Sequence, residues 1–148
     1  MILRYGIDTS VLVRLLTGRP RDRFAHTVRL LTAMVGDGTT VVASNQVIGE
    51  AYVALQHHFG VQKPDARSAL IQVLGSGLVA PLNGLSVMRL LDASGGAGLL
   101  DRLIADDYAR SDLDTLTLDK AMASLPRARF LDLVDAPAVR GRSAPGTP

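Results

Sequence analysis

Apolar and polar positions along the chain fall into two alternating kinds of segment. Runs of mostly apolar residues at 2–7, 39–43, 78–82, 114–118 and 129–133 predict strands, and the first of these strands is apolar enough to be buried on both faces of a parallel sheet. Between these runs, apolar residues recur at helical spacing and predict helices. This alternation predicts an α/β fold, an α/β/α sandwich with a parallel sheet of four to five strands.

Glycines and capping residues mark where the helices begin and end. The first helix should end at Thr17-Gly18, and the helix after the second strand should begin at Ser44 or Asn45 and end at Gly60. A short helix is expected to begin at Asp119 and to stop before Pro126. The other helices are predicted at 21–35, from Pro64 to near Gly75, at 85–93 and at 99–110.

Length and composition predict one compact domain followed by a tail. Of the 148 residues, 47% are hydrophobic and 20% are charged, which is a globular composition. The domain should span 1–134, whereas 135–148 are proline-rich, have almost nothing to bury, and are expected to be disordered. No apolar run approaches the roughly 18 residues of a membrane span, so no membrane association is expected. The chain has no cysteine, and a reducing cytoplasm is the default expectation.

Four acidic residues fall beside the predicted strand ends. Asp8 directly follows the first strand, and Asp119 directly follows the fourth. Glu50 lies about one and a half turns into the helix after the second strand, and Asp101 lies in the first turn of the helix that leads into the fourth. Ligands of open α/β sheets bind at the edge formed by the carboxyl ends of the strands. We therefore expect the four carboxylates to share that rim.

Each of these acids also has a structural interpretation. Asp8 and Asp119 could cap helices, and Asp101 could favour a helix N-terminus. Glu50 is harder to explain in this way, because Val47, Val53 and Ala54 surround it with apolar side chains, and a carboxylate on such a face is costly without compensation. Asp101 shows a similar pattern, with Ile104, Ala105 and Tyr108 on its side of the helix.

Carboxylates that converge on one rim need a compensating charge. Two like charges about 5 Å apart repel by roughly 3 kcal/mol at an effective dielectric constant near 20. Protonation of one acid or a bound cation would relieve this repulsion. Ligands that are all oxygen suit Mg²⁺ or Mn²⁺, and such an ion can activate a water and neutralise charge in phosphate chemistry.

These acids lie in four segments that resemble a known family. IDTSVLVRLL, ASNQVIGEAYVAL, GLLDRLIADDYA and DTLTLDKAM are similar, in order and spacing, to the four acidic blocks of PIN-domain proteins, and most of all to VapC-type toxins of toxin–antitoxin pairs. The similarity covers residues 1 to about 134. It implies a sheet of order 3-2-1-4-5 and a Mg²⁺- or Mn²⁺-dependent endoribonuclease that cuts tRNA, rRNA or mRNA with a metal-activated water.

The resemblance also implies roles for individual residues. The acids matching Asp8 and Asp101 would be the firmest metal ligands. Those matching Glu50 and Asp119 would complete the site, directly or through water. A small hydroxyl residue, Thr9 or Thr117, would lie beside it, although a cap and a strand position explain these threonines equally well.

Three partners follow from the resemblance: an RNA substrate, a cognate antitoxin that blocks the active site, and a second copy of the chain in a homodimer. An apolar groove formed by Val11, Leu12, Leu15 and Leu16 could receive the antitoxin, but the same residues could equally form the core. Once the four candidate acids are set aside, the remaining 10 acidic residues (14 less four) stand against 16 basic ones. The candidates for contact with RNA phosphates are Arg14, Arg19, Arg21, Arg23 and Arg29, which could otherwise form a solvated helical face.

Two other functions compete with the nuclease hypothesis. Phosphoryl transfer through an aspartyl-phosphate on Asp8 usually requires a second acid two positions on, where this chain has Ser10, and a lysine after a late strand, whereas Lys120 directly follows Asp119. A noncatalytic PIN-like module that binds RNA or protein, with its acids serving as caps, predicts no bound metal and no stabilisation by Mg²⁺.

Overall fold

The protein is an α/β protein, and its computed structural model describes residues 3–133. Within this range it has six α-helices and five short strands, all of the strand pairs being parallel. The chain divides into two compact units, one reaching Gly95 and one beginning at Gly96. The elements are β1 (Arg4–Gly6), α1 (Thr9–Thr17), α2 (Arg21–Gly36), β2 (Thr40–Ala43), α3 (Asn45–Phe59), α4 (Lys63–Leu74), β3 (Ala80–Pro81), α5 (Ser86–Asp92), α6 (Leu99–Arg110), β4 (Thr115–Thr117) and β5 (Ala128–Phe130).

The strands of the first unit form a parallel sheet in the order β1-β2-β3. Tyr5 pairs with Val41 and Ala43 pairs with Pro81, so β2 lies in the middle of this sheet. Val41 and Ala43 are buried accordingly, whereas every described residue of β1 is exposed. The prediction that the first strand is buried on both faces is therefore wrong for Arg4–Gly6, which are exposed and pair with β2 in this three-stranded sheet. The complete order 3-2-1-4-5 and the three-layer sandwich stay predictions.

The core of the first unit lies among its helices. α1 packs on α3, α3 on α4, and α4 on α5, and Leu12, Ile48 and Leu70 have no exposed surface. Burial of a leucine or isoleucine side chain of this kind contributes about 1.5–3 kcal/mol. Leu15 is also buried. Leu12 and Leu15 therefore belong to the core, which was one of the two interpretations of these residues. They do not line an open groove, which was the other.

Arg67 joins α4 to the end of α5. Its Nη1 donates to the backbone carbonyls of Leu90, Leu91 and Ala93 at 3.2, 3.2 and 2.8 Å. These are among the last carbonyls of a short helix, which have no partner within the helix itself. The guanidinium also lies 5.9 Å from the centre of the Tyr52 ring, within range of a cation–π contact. Arg67 thus caps α5 from a neighbouring helix.

Two helix ends follow the sequence prediction closely. α1 ends at Gly18 (φ 65°) and α3 at Gly60 (φ 64°), and both glycines adopt the left-handed conformation that side chains disfavour. Ser44 caps α3, because its hydroxyl accepts a hydrogen bond from the Val47 N–H at 3.2 Å. These ends fix where α1 and α3 begin and stop, and hence where their side chains meet.

The second unit contains α6 and a two-stranded parallel sheet, in which Leu116 pairs with Arg129. α6 packs on β4, with Leu99, Leu103 and Met122 buried. The helix expected to begin at Asp119 is instead a single 3₁₀ turn, Met122–Ser124. Pro126 limits this segment, because fewer than two helical turns fit between Asp119 and Pro126 and the residue before a proline disfavours the helical conformation.

The predicted strands are longer than the observed ones at every site, and β3 is the shortest, at two residues. β5 begins one residue earlier than predicted, and a second 3₁₀ turn, Leu131–Leu133, follows it. In the described part of the chain, no helix is both long and apolar enough to cross a lipid bilayer. The tail predicted at 135–148 lies outside the described residues.

Candidate active site

Asp8 stands at the junction between β1 and α1. The Ile7 N–H donates to the Val42 carbonyl at 2.9 Å, so the strand pairing continues to the residue before Asp8. The Asp8 Oδ1 then accepts from the Val11 N–H at 3.3 Å and caps α1. It also accepts from the Ser10 hydroxyl at 2.5 Å. The cap interpretation of Asp8 is therefore confirmed, and the same contacts hold its carboxylate at the end of the strand.

Glu50 reaches the start of α1 from the neighbouring helix α3. The Thr9 hydroxyl donates to Glu50 Oε2 at 2.5 Å, although 41 positions separate the two residues in sequence. The Gln46 side-chain amide donates to Oε1 at 3.2 Å from one turn earlier in α3. Because Thr9 immediately follows Asp8, these bonds bring the Glu50 carboxylate beside the junction that carries Asp8.

Both carboxylates are held in their charged form. The hydrogen bond from the Ser10 hydroxyl, followed by that from the Val11 N–H, holds the pKa of Asp8 below its ordinary value. The Thr9 hydroxyl, followed by the Gln46 amide, lowers the pKa of Glu50. Desolvation and the negative charge of Asp8 act on the Glu50 pKa in the opposite direction and are outweighed. Two neighbouring negative charges therefore persist at neutral pH.

The reason for singling out Glu50 from the sequence needs correction. Its apolar helical neighbours predicted a carboxylate on a buried face, but Glu50 is exposed, and Val53 and Ala54 are only half-buried. Compensation comes from two hydrogen-bond donors, Thr9 and Gln46. The structure does support the proximity of Glu50 to Asp8, which the parallel topology predicted.

Asp101 and Asp119 both lie in the second unit. Asp101 is half-buried in the first turn of α6, as predicted. The apolar face expected beside it is largely open to solvent, because Ile104 is 45% and Tyr108 46% exposed. Asp119 is exposed, and its Oδ1 accepts from the N–H of Met122, the first residue of the 3₁₀ turn, at 2.8 Å, although the capping position itself is Ala121.

The two candidate threonines have different roles. Thr9 is the first residue of α1 and bonds Glu50, whereas the helix cap is Asp8, so the cap interpretation of Thr9 is wrong. The Thr117 hydroxyl accepts from the Asp119 N–H at 2.9 Å at the end of β4. Each threonine is thus tied to one of the candidate acids in its own unit.

The donor set at the Asp8–Glu50 pair suits a hard cation. Charged carboxylate oxygens beside the hydroxyls of Thr9 and Ser10 are the ligand type that Mg²⁺ and Mn²⁺ prefer. Between residues 3 and 133, no group of three or more His, Asp or Glu side chains is close enough to hold one ion. The convergence of all four acids on one ion stays a prediction.

The sequence interpretation missed two residues that shape this pair. The sequence drew attention to Ser10 only as the residue in place of a second acid, yet its hydroxyl bonds Asp8. Gln46 lies four residues before Glu50 on the same helix, and that spacing is a sequence signal from which their contact could have been predicted.

No protein-family model matches this sequence, and no curated protein matches it. The PIN-domain resemblance therefore depends on the four acidic segments themselves, and the functional argument depends on the geometry described above.

Proposed function

We propose that this protein is a metal-dependent endoribonuclease of the PIN type and the toxin component of a toxin–antitoxin pair. The observation that carries the proposal is the pairing of Asp8 with Glu50. Two acids 42 positions apart in sequence are brought to one strand end, and both are kept ionised by hydrogen bonds. Each charge still repels the other, and a bound divalent cation would relieve that repulsion.

The residues around the pair hold the carboxylates rather than react themselves. Ser10 orients Asp8, while Thr9 and Gln46 hold the two oxygens of Glu50. A divalent cation, Mg²⁺ or Mn²⁺, would supply charge neutralisation for the scissile phosphate and activation of the attacking water. Asp101 and Asp119 complete the proposed ligand set.

RNA is the proposed substrate because five arginines lie in and between the first two helices. Arg19, Arg21, Arg23 and Arg29 are exposed, and Arg14 is half-buried. None of these five arginines forms a salt bridge with another described residue. Phosphates could therefore bind these arginines without first breaking an ion pair with another described residue.

The proposal is tested with purified protein and a labelled single-stranded RNA in Mg²⁺, in Mn²⁺ and in EDTA. Wild-type protein should cleave only with a divalent cation. Asp8→Asn, Glu50→Gln and Asp101→Asn should each reduce the cleavage rate by on the order of 100-fold, the upper end of what loss of a residue that supports a metal ligand costs. Asp22→Asn, a first-turn acid of α2, is the matched control and should cleave normally. Cleavage in EDTA, or full activity of Asp8→Asn, would contradict the proposal.

A noncatalytic PIN-like module that binds RNA or protein is the second candidate. The observation that favours it is that Asp8 caps α1 and that Asp119 accepts from the first N–H of the 3₁₀ turn, so both carboxylates have structural roles. This candidate requires that Mg²⁺ leave the melting temperature unchanged, whereas the nuclease proposal requires stabilisation that Asp8→Asn abolishes. A thermal melt with and without Mg²⁺ separates the two.

The proposed partners are a cognate antitoxin and a second copy of the chain. If the chain is a toxin, its expression alone should arrest growth, and Asp8→Asn should not. Co-expression with the product of the neighbouring gene should restore growth and yield a complex on gel filtration. Undiminished growth with wild-type protein would count against the toxin assignment while leaving the nuclease assignment to the cleavage assay.

A further inference from the structure

An open groove lies between α1 and α3, beside the Asp8–Glu50 pair. Its volume is about 400 Å³. Thr9 and Ser10, which bond the two carboxylates, line one part of it, and Phe59, the last residue of α3, lines another. A ligand that occupies this groove therefore contacts the residues that position the candidate catalytic acids.

The charge of the groove favours an anionic ligand. Arg14 and Arg19 line it together with His58, and no Asp or Glu is among the lining residues. Neither arginine forms a salt bridge within residues 3–133. Arginine presents several N–H donors in a planar arrangement that matches phosphate oxygens. The groove thus offers two cationic groups for a phosphate.

The apolar part of the groove is suited to a nucleobase. Val13 and Ala54 supply aliphatic surface, and Phe59 is 45% exposed. An exposed aromatic ring beside cationic side chains is the combination by which proteins bind single-stranded nucleic acid, because the base stacks on the ring while the backbone is held electrostatically. An acidic peptide would satisfy the arginines but would leave the ring without a stacking partner.

We infer that this groove is a nucleotide subsite, in which Phe59 stacks one base of single-stranded RNA and Arg14 and Arg19 hold an adjacent phosphate. The inference rests on the proposed nuclease function, because the subsite would position the strand for cleavage at the neighbouring acids. Phe59 thereby becomes a specificity-determining residue, since a flat ring stacks more strongly on purines than on pyrimidines.

The inference is tested by RNA binding in EDTA, where no cleavage is expected. The probes are fluorescein-labelled oligoadenylate and oligouridylate of about eight nucleotides. Wild-type protein should prefer oligoadenylate, and Phe59→Ala should weaken its binding about 5- to 100-fold and abolish the preference. Tyr108→Ala is the matched control, because Tyr108 is 46% exposed and does not line the groove.

The arginine contact has its own readout. Arg19→Ala should lower the slope of log affinity against log salt concentration by about 0.7, the value for one phosphate contact on a single strand. Arg89→Ala, an exposed arginine of α5, should leave the slope unchanged.

Three results overturn the subsite. The first is that Phe59→Ala leaves the RNA affinity and the base preference unchanged. The second is that Arg19→Ala leaves the salt dependence of binding unchanged. The third is an oligoglutamate peptide that binds with sensitivity to both substitutions while RNA binding shows none. Cleavage by wild-type protein in Mg²⁺, measured in parallel, separates the two proposals. If wild-type protein cleaves RNA and the groove variants bind RNA normally, only the subsite is refuted. If binding depends on the groove but wild-type protein does not cleave, only the nuclease function is refuted.

Discussion

Arg67→Ala should be among the most destabilising single substitutions outside the apolar core. Arg67 Nη1 has two hydrogens for the carbonyls of Leu90, Leu91 and Ala93, so the contact amounts to about two full hydrogen bonds. A hydrogen bond to a charged group contributes about 1.5–3 kcal/mol, and the lower value applies because this side chain is only part-buried. The cation–π contact with Tyr52 adds about 0.5–1 kcal/mol. The free energy of unfolding should therefore fall by about 3–4 kcal/mol.

Urea unfolding followed by circular dichroism measures this loss. Arg67→Lys keeps the charge but not the planar group, and should recover about half of the loss. Arg89→Ala removes an arginine from the exposed side of α5 and should change the unfolding free energy by less than about 0.5 kcal/mol. A loss below about 1 kcal/mol for Arg67→Ala, or an equal loss for Arg89→Ala, would refute the assigned role of Arg67.

Three further substitutions test other parts of the structure. Thr9→Val removes the strongest donor to Glu50 and should raise the Glu50 pKa, as measured by NMR titration, and an unchanged pKa would contradict the contact. The pKa of Asp114 is lowered chiefly by its hydrogen bond with Arg127, so the stabilisation is present above the unfolded-state pKa and is lost as pH falls through the folded-state value. Asp114→Asn should therefore flatten the decline of melting temperature below about pH 4, and an acid profile identical to that of wild type would refute this. Leu70→Ala should cost about 2–5 kcal/mol in urea unfolding, whereas Leu82→Ala, at a position 50% exposed, should cost much less; equal losses would contradict the assigned core.

The sequence was most informative where local chemistry alone determines the structure. Gly18 and Gly60 end their helices as predicted, because a left-handed residue after a helix is a local requirement. Ser44 was one of two predicted caps and is the one that bonds the helix. A helix cap was one of the two interpretations of Asp8, and its contact with Val11 needs only the three following residues.

Burial was predicted less well, because it depends on what surrounds each element. The apolar run at 2–7 predicted a strand covered on both faces, but Tyr5 in β1 is exposed. The same limit applies to Glu50, which is exposed although its helical neighbours are apolar. Periodicity identifies an element and its apolar side, but not how completely that side is covered.

The candidate site was predictable in its acids but not in the groups that hold them. The link between Thr9 and Glu50 joins two helices, so no local pattern could have specified it. The nucleotide groove was missed for a similar reason. Phe59 lies in a sequence with few aromatic residues, and only the packing of α1 on α3 brings it near Arg14 and Arg19.

Asp8 both caps α1 and belongs to the candidate active site, and this combination has a consequence for how the protein could be inactivated. Asparagine caps helices about as well as aspartate, so Asp8→Asn spares the architecture of α1 while removing its charge. Under the proposed function, growth inhibition by this protein would select for Asp8→Asn, since that substitution removes activity at almost no cost in stability. The inactive variant would keep the surface that binds the proposed antitoxin, and it would compete with active copies of the protein for that antitoxin.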